Sequence, residues 1–494
     1  MLTLPPAVDA PVVDPVTLGT ILAILYLIAD WGIRIVLIPV VIRRHRIGEA
    51  LAWLCLIFFQ PFIGAAVYFV VGRNVLGRKR IAQHDHAARL VDTHEHRLNQ
   101  REHAPNPDEI PQNRRDLVRL ARSLGRMPLV RGNDAQFIGD TQEFIRQLIE
   151  TIDSAKHHVH LLYYIMRRDD SGERLCQAVE RAAQRGVHCR ILLDGVGSRT
   201  ALEVFGPRMR KAGAEVRAAL PVKLLRRQFA RIDVRNHRKL AIIDGHIAFT
   251  GSHNACDADY GKTTVGEWVD LTARLTGPIV YQLQLTFLED WVTETGEVPN
   301  DPSMFITPEY TGDLPMQSVP SGPGERSEAF HNIAVSAINE AEHAIIMTTP
   351  YLIPDEPSVL ALRLRALAGV RTVIIIPEKP DQRLVAAAAK AYYEELLQAG
   401  VEIYLFQGGI LHAKTFTIDN SFVLFGSANF DRRSFRLNYE LNLLMIGAPV
   451  VKALHAHQMI YKSQSRRLTL DQVEAVPHWR QLMYHSAKLF SPVL

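Results

Sequence analysis

Six residues stand in two matching sets. His237, Lys239 and Asp244 recur as His412, Lys414 and Asp419, each 175 positions later, and Gly251-Ser252-x-Asn254 recurs as Gly426-Ser427-x-Asn429 at the same offset. These residue types suit one chemistry. A phosphodiester is anionic and resists anionic nucleophiles, but a neutral imidazole can attack phosphorus and form a covalent phosphohistidine, dividing one hard step into two easier ones. A second imidazole can protonate the departing alkoxide and then deprotonate an incoming hydroxyl. Lys239, Lys414, Ser252, Ser427, Asn254 and Asn429 can hold the non-bridging oxygens as charge builds there. One set supplies half of such a site; two sets facing across a pseudo-twofold axis supply all of it. The cations are lysines, so the scheme calls for neither metal nor cofactor. One His-x-Lys set can arise by chance, whereas two at equal spacing, each followed by Gly-Ser-x-Asn, do not. Asp244 and Asp419 fit two roles, as electrostatic members of the site or as turn residues bonding local backbone.

The elements that must position these residues are themselves duplicated. GVHCRILLD (186–194) echoes GVRTVIIIP (369–377), and AGAEV (212–216) echoes AGVEI (399–403). The apolar runs HVHLLYYI, HCRILLD, AIIMTTPYLI and TVIIIP read as buried strands. ERLCQAVERAAQ and VAAAAKAYYEELLQA between them read as helices. The alternation predicts an α/β fold in two tandem copies, each a sheet flanked by helices. HRKLAIID and IAFTGS flank Asp244-Gly245, and HAKTFTID and FVLFGS flank Asp419-Asn420, which predicts a two-residue hairpin turn in each copy. On a strand, His237 and Lys239 project to one face, as do His412 and Lys414. Tyr163, Tyr164 and Tyr351 end strands, where they can line a pocket or fill the core.

The amino-terminal region has another character. Two apolar runs, about 17–42 and 50–71, each exceed the ~20 residues that cross a bilayer as a helix. They predict a transmembrane hairpin over 16–72 after a leader at 1–15. Asp30 and Arg34 lie four apart and can pair within the first run. Arginines and lysines around the runs favour a cytoplasmic carboxy-terminal part. Residues 73–126 are polar and rich in histidine, with HDH at 84–86 and HEH at 94–96, and read as a solvated linker, since histidines two apart do not share a helix face. The copies then occupy 127–312 and 313–494. The segment KLLRRQFARIDVRNHRK (223–239) interleaves cations with apolar residues, as suits an anionic membrane surface.

Composition narrows the class. In 494 residues, 56 Lys and Arg against 52 Asp and Glu leave a net charge of +4, which argues against a protein built to coat nucleic acid. Global disorder is excluded at 47% apolar and 22% charged residues. Four scattered cysteines without a CxxC pair argue against a disulfide scaffold or a thiolate zinc site.

The duplicated motif resembles that of the phospholipase D superfamily, and within it the membrane-anchored bacterial cardiolipin synthases. The resemblance runs through the hydrophobic hairpin, the GRKR exit, NHRKLAIIDGHIAFTGSHN, GEWVDLTARLTGP, TTPYLIPDEP, GGILHAKTFTIDNSFVLFGSANFDRRSFRLNYELNLLM and the ending LFSPVL. It implies that phosphatidylglycerol donates a phosphatidyl group to histidine, releasing glycerol, and that a second phosphatidylglycerol takes the group to give cardiolipin. It implies His237 as nucleophile, His412 as general acid/base, and an acid about 30 residues after each histidine to orient its imidazole, matched by Asp270 and Glu440. It further implies anionic membrane lipids as partners, no nucleic acid, and a multi-pass protein of the bacterial inner membrane. A phospholipase D-type hydrolase or another phosphatidyltransferase would share the phosphohistidine and differ in the acceptor. A membrane-tethered phosphodiesterase nuclease fits less well, given the two spans and modest charge.

Overall fold

The computed structural model describes residues 15–45, 47–72, 78–95, 110–221, 233–261, 266–299, 301–306, 309–324, 328–489 and 491. The chain forms two compact units, Met1–Val75 and Leu76–Leu494. The leader and residues 223–232 of the basic segment lie outside the described residues, apart from Pro15, which begins the first helix.

In the first unit, helix Pro15–Arg44 is long and apolar enough to cross a membrane, with a mean hydropathy of 2.2 over its most apolar stretch. Its apolar side chains are largely exposed, Ile21, Leu22, Leu25 and Ile28 among them, as a lipid-facing helix requires. Asp30 and Arg34 pair as expected, at 3.1 Å, and the Arg34 guanidinium also lies over the Trp31 and Phe58 rings. The second expected helix is not continuous. It is split into Ile47–Phe59 and Pro61–Val67, followed by a π-turn at Tyr68–Gly72. Proline has no N–H to donate and starts a helix more readily than it continues one, so Pro61 opens a new helix after Gln60.

The second unit contains a 15-stranded sheet that joins both copies. In the first copy His158–Tyr163, His188–Asp194 and Glu215–Ala219 are parallel. Leu240–Ile243, Ile247–Gly251, Thr272–Thr276 and Val130–Ile138 continue the sheet antiparallel. The second copy repeats this with Ala344–Thr348, Arg371–Pro377 and Glu402–Phe406, then Thr415–Ile418, Phe422–Gly426, Glu440–Ile446 and Leu314–Ser321. The halves join where Val130–Ile138 meets Leu314–Ser321. Helices Asp170–Gln184 and Arg199–Lys211 in one copy, and Glu356–Leu367 and Arg383–Lys390 in the other, cross between the parallel strands. One buried apolar cluster draws on both copies, including Leu240, Leu275, Phe425 and Leu443.

Three expectations need correction. His237–Lys239 and His412–Lys414 precede their strands rather than lying in them. The hairpin loops hold three residues, since Ile243 pairs with Ile247 and Ile418 with Phe422. The histidine-rich segment is not a solvated linker throughout. Helix Arg78–Glu95 buries Ala87, Ala88 and Val91 and packs on helix Ile279–Thr295, where Arg80 pairs with Glu294 and His84 Nε2 lies 3.3 Å from Glu289. Of HEH at 94–96, the side chains lie outside what the structure describes.

Candidate active site

Each His-x-Lys segment is held by backbone bonds to the other copy. His237 N–H donates to the Tyr439 carbonyl, and Tyr439 N–H to that of Arg235. In the second copy Ile410–Leu411 runs parallel to Trp268–Val269, and His412 N–H donates to the Val269 carbonyl. The residues after Tyr439 and Val269 are the two acids, Glu440 and Asp270. The acids therefore serve the opposite histidines. His237 Nδ1 lies 3.0 Å from Glu440 Oε2, and His412 Nδ1 lies 2.6 Å from Asp270 Oδ1. The resemblance pairs each acid with the histidine of its own copy; the structure exchanges them.

An acceptor at Nδ1 fixes the tautomer, leaving Nε2 as the basic atom. Both imidazoles are buried and face a cavity of about 860 Å³ lined from both copies, with Tyr164, Asn254 and Trp268 on one side and Tyr351, Asn429 and Asp431 on the other. Tyr164 meets His237 edge-on at 4.9 Å, and Trp268 meets His412 edge-on at 4.8 Å. Lys239 Nζ and Lys414 Nζ each donate to the carbonyl of the histidine two residues earlier, at 2.6 Å.

Burial sets the protonation of this group. It holds His237 below the ordinary histidine range, with Glu440 opposing and Lys239 assisting. Burial and then Lys414 push His412 down to about 3, against Asp270. Burial brings Lys239 down to about 8 and Lys414 well below its usual value, although both carboxylates favour the charged forms. For the acids burial acts in the opposite sense but is outweighed: His237 and Lys239 keep Glu440 ionised, and His412 and Lys414 keep Asp270 ionised. The site thus presents two imidazoles held toward the neutral form beside two lysines of weakened basicity.

Other expected site residues divide. Asn254 and Asn429 line the cavity. Ser252 and Ser427 do not: Ser252 Oγ accepts from Leu271 N–H, and Ser427 Oγ accepts from Leu441 N–H while donating to Glu440 at 2.5 Å. Asp244 and Asp419 stand at the far end of their hairpins, at φ of +52°. Asp244 accepts from the N–H groups of Lys156, His157 and His158, and Asp419 from those of Glu342, His343 and Ala344 and from the buried Arg114. Both aspartates thus lock the hairpin to the start of the neighbouring strand, and the catalytic placement expected of them is replaced by a structural one. Of the tyrosines, Tyr164 and Tyr351 line the cavity and Tyr163 fills the core.

Sequence reasoning missed Trp268, Tyr260, Asp431 and a set of arginines, Arg167, Arg168, Arg199, Arg235 and Arg433, all on the cavity wall. Trp268 lies two residues before Asp270, which was its only signal. Burial raises Asp431 to about 6, against a bond from Ser434 N–H. Among the described residues no group of three or more His, Cys, Asp or Glu is arranged to hold a metal ion.

Two paired imidazoles, two lysines and a duplicated α/β sheet define a phosphodiester-processing enzyme of the phospholipase D type. Comparisons with known proteins agree. A family described as "Cardiolipin synthase, PLD-like domain" matches residues 148–290 and 334–458, and one described as "Phospholipase_D-nuclease N-terminal" matches 32–73. Cardiolipin synthase A of Klebsiella pneumoniae (strain 342) is 34% identical over 469 residues, covering 93% of this chain and 96% of the relative. Cardiolipin synthase A of Salmonella arizonae is 33% identical over 487 residues, covering 97% and 100%. The crystal structure of phosphatidylserine synthase from Haemophilus influenzae Rd KW20 superposes with a TM-score of 0.57 at 14% identity, covering 77% of this chain and all of that one, and shares the fold. The chain belongs to the cardiolipin synthase family of the phospholipase D superfamily.

Proposed function

We propose that the protein is a cardiolipin synthase that moves a phosphatidyl group from one phosphatidylglycerol to another through a phosphohistidine. The observation that carries this reading is the pair of buried imidazoles, each backed by a carboxylate from the opposite copy, facing one cavity in a chain with a membrane-length apolar helix.

When the anionic lipid binds, His412 takes up a proton at Nε2 as the imidazolium that Asp270 stabilises; in the first step His237 Nε2 attacks phosphorus, the bond to the glycerol oxygen breaks, and His412 gives that oxygen this proton. In the second, a hydroxyl of another lipid attacks phosphorus, His412 takes its proton, and the phosphorus–nitrogen bond breaks. The assignment of roles rests on the carboxylate bonds. The 2.6 Å bond from His412 to Asp270 is the shorter, and Asp270 is well placed to stabilise an imidazolium once an anionic lipid occupies the cavity. Glu440 divides its oxygens among His237, Ser427 and Ser434. Lys239, Lys414, Asn254 and Asn429 hold the phosphoryl oxygens. The apolar helices anchor the chain as a two-segment hairpin in the bacterial inner membrane, with the catalytic copies cytoplasmic. Domain limits at 127–312 and 313–494, after a leader and anchor, accord with the repeat.

The test is lipid conversion. Purified protein with head-group-labelled phosphatidylglycerol in mixed micelles and EDTA yields cardiolipin and free glycerol, and His237→Ala yields neither. Phosphatidic acid and glycerol without cardiolipin would make water the acceptor and refute the transferase reading. Loss of turnover on adding EDTA would refute the metal-free scheme.

A further inference from the structure

The two copies are not equivalent at the mouth of the cavity. Asp169 caps helix Asp170–Gln184 and Asp355 caps helix Glu356–Leu367 through the same bond to a backbone N–H. These aspartates therefore mark matching positions. The two residues before the first are Arg167 and Arg168; those before the second are Ile353 and Pro354. The first copy also contributes Arg199 and Arg235 to the wall, while the second contributes Asp381, Gln382, Asp431 and Arg433.

Most of these charges are engaged. Arg199 pairs with Glu203 at 3.0 Å, Arg235 lies 3.4 Å from Asp194, and Arg433 donates to the Asp233 carbonyl at 2.6 Å. Arg167 and Arg168 are exposed and make no ion pair with a carboxylate among the described residues. The Arg167 guanidinium rests over Tyr260 at 5.9 Å; Tyr260 stacks on Trp268 at 4.7 Å, and Trp268 abuts His412. Arg167 thus stands on the His412 side of the cavity, and Arg168 follows it on the same wall.

Chemistry says what belongs there. The donor lipid has one phosphate, and it is the one attacked. The acceptor carries a second phosphodiester, three carbons from the hydroxyl that His412 deprotonates. An anion so placed falls on the His412 side and needs a cationic partner, and Arg offers the forked donor geometry that phosphate favours. We propose that Arg167 and Arg168 form a subsite for the phosphodiester of the acceptor, which makes the enzyme prefer an anionic lipid over a neutral alcohol or water. This rests on the transferase reading above.

Competition between acceptors tests it. The full-length protein is given phosphatidylglycerol with ethanol, and the ratio of cardiolipin to phosphatidylethanol is measured. Both products leave one phosphoenzyme, so the ratio is blind to general loss of activity. Arg167→Gln/Arg168→Gln lowers the ratio about tenfold or more, as expected for loss of charge-assisted bonds, and Arg167→Lys/Arg168→Lys restores part of it. A ratio within twofold of wild type refutes the subsite. The wild-type protein supplies a second measurement that needs no variant. sn-Glycerol 3-phosphate outcompetes glycerol as acceptor by about tenfold, and equal use also refutes the subsite. Wild-type protein that forms phosphatidylethanol but no cardiolipin would remove the cardiolipin reading instead, while the glycerol phosphate comparison would still decide the subsite.

Discussion

Replacing Glu440 with glutamine separates the exchanged pairing from one within each copy. Glu440 is fully buried and accepts from His237 Nδ1 at 3.0 Å, Ser427 Oγ at 2.5 Å and Ser434 Oγ at 2.9 Å. Glutamine keeps the shape but turns one acceptor into a donor and removes the charge that faces Lys239. Loss of one charge-assisted bond costs about 1.5–3 kcal/mol. Loss of the buried charge behind a developing phosphoimidazolium adds to it, and a carboxylate-to-amide change behind a catalytic histidine lowers turnover by about 10⁴ in the serine protease triad. Formation of the phosphoenzyme should therefore slow by about 10³–10⁴ in Glu440→Gln. The assay is the pre-steady-state burst of p-nitrophenol from a phosphatidyl p-nitrophenyl ester. That leaving group needs no acid, so the burst reports His237 alone. Asp270→Asn should keep a burst near the wild-type amplitude and lose steady turnover, because His412 can no longer deprotonate the acceptor. A burst abolished in Asp270→Asn and intact in Glu440→Gln would refute the exchange of acids, or the assignment of His237 as nucleophile.

Four further outcomes are expected. Lys239 is charged below about 8 and neutral above it in the free enzyme, so kcat/KM should fall as pH rises through that value as phosphate loses a cation. Lys239→Arg should remove this alkaline limb, and an unchanged limb would assign it to another group. Asp419→Ala leaves Arg114 buried without its closest carboxylate and should cost about 3–5 kcal/mol in urea unfolding. Asp244→Ala removes only bonds from backbone N–H groups and should cost about 1–3 kcal/mol; a loss of kcat in either variant without loss of stability would return these aspartates to the catalytic site. Deleting residues 1–72 should release the chain from membranes, and a variant that still sediments with vesicles at high salt would show a second anchor.

The chemistry was legible because it constrains residue types: histidine and asparagine at those spacings suit a phosphorus centre, and His237, His412, Asn254 and Asn429 all line the cavity. The strand and helix alternation was legible because the inner parallel strands, His158–Tyr163, His188–Asp194, Ala344–Thr348 and Arg371–Pro377, are buried on both faces and read as largely apolar runs. What failed was anything decided across space. Spacing along the chain cannot say which acid meets which histidine, since that depends on His237 N–H bonding Tyr439 and His412 N–H bonding Val269. The interruption at Pro61 was hidden by an apolar run whose composition is continuous. The packing of Arg78–Glu95 was hidden because its buried side chains are two alanines and a valine among charges. Of the cavity arginines only Arg235 lies in a patterned segment, the basic stretch at 223–239, and there it suggested a membrane surface rather than a cavity wall.

The Gly-Ser pair shows why a repeated motif can be right in outline and misread in role. A Cβ on Gly251 would lie 2.3 Å from the Leu271 carbonyl, and one on Gly426 2.2 Å from that of Leu441, so only glycine admits the close approach of these strands. The serine that follows then exchanges two bonds with that same residue, its N–H with the carbonyl and its Oγ with the N–H. Leu271 and Leu441 are the residues immediately after Asp270 and Glu440. Gly-Ser in each copy therefore fixes the acid of its own copy, and that acid orients the histidine of the other. The dependence runs across the interface in both directions, so a single copy holds a histidine without its acceptor and an acid without its histidine. The walls of the cavity stand outside this dependence and differ between the copies, with Arg167 and Arg168 in one where the other has Ile353 and Pro354.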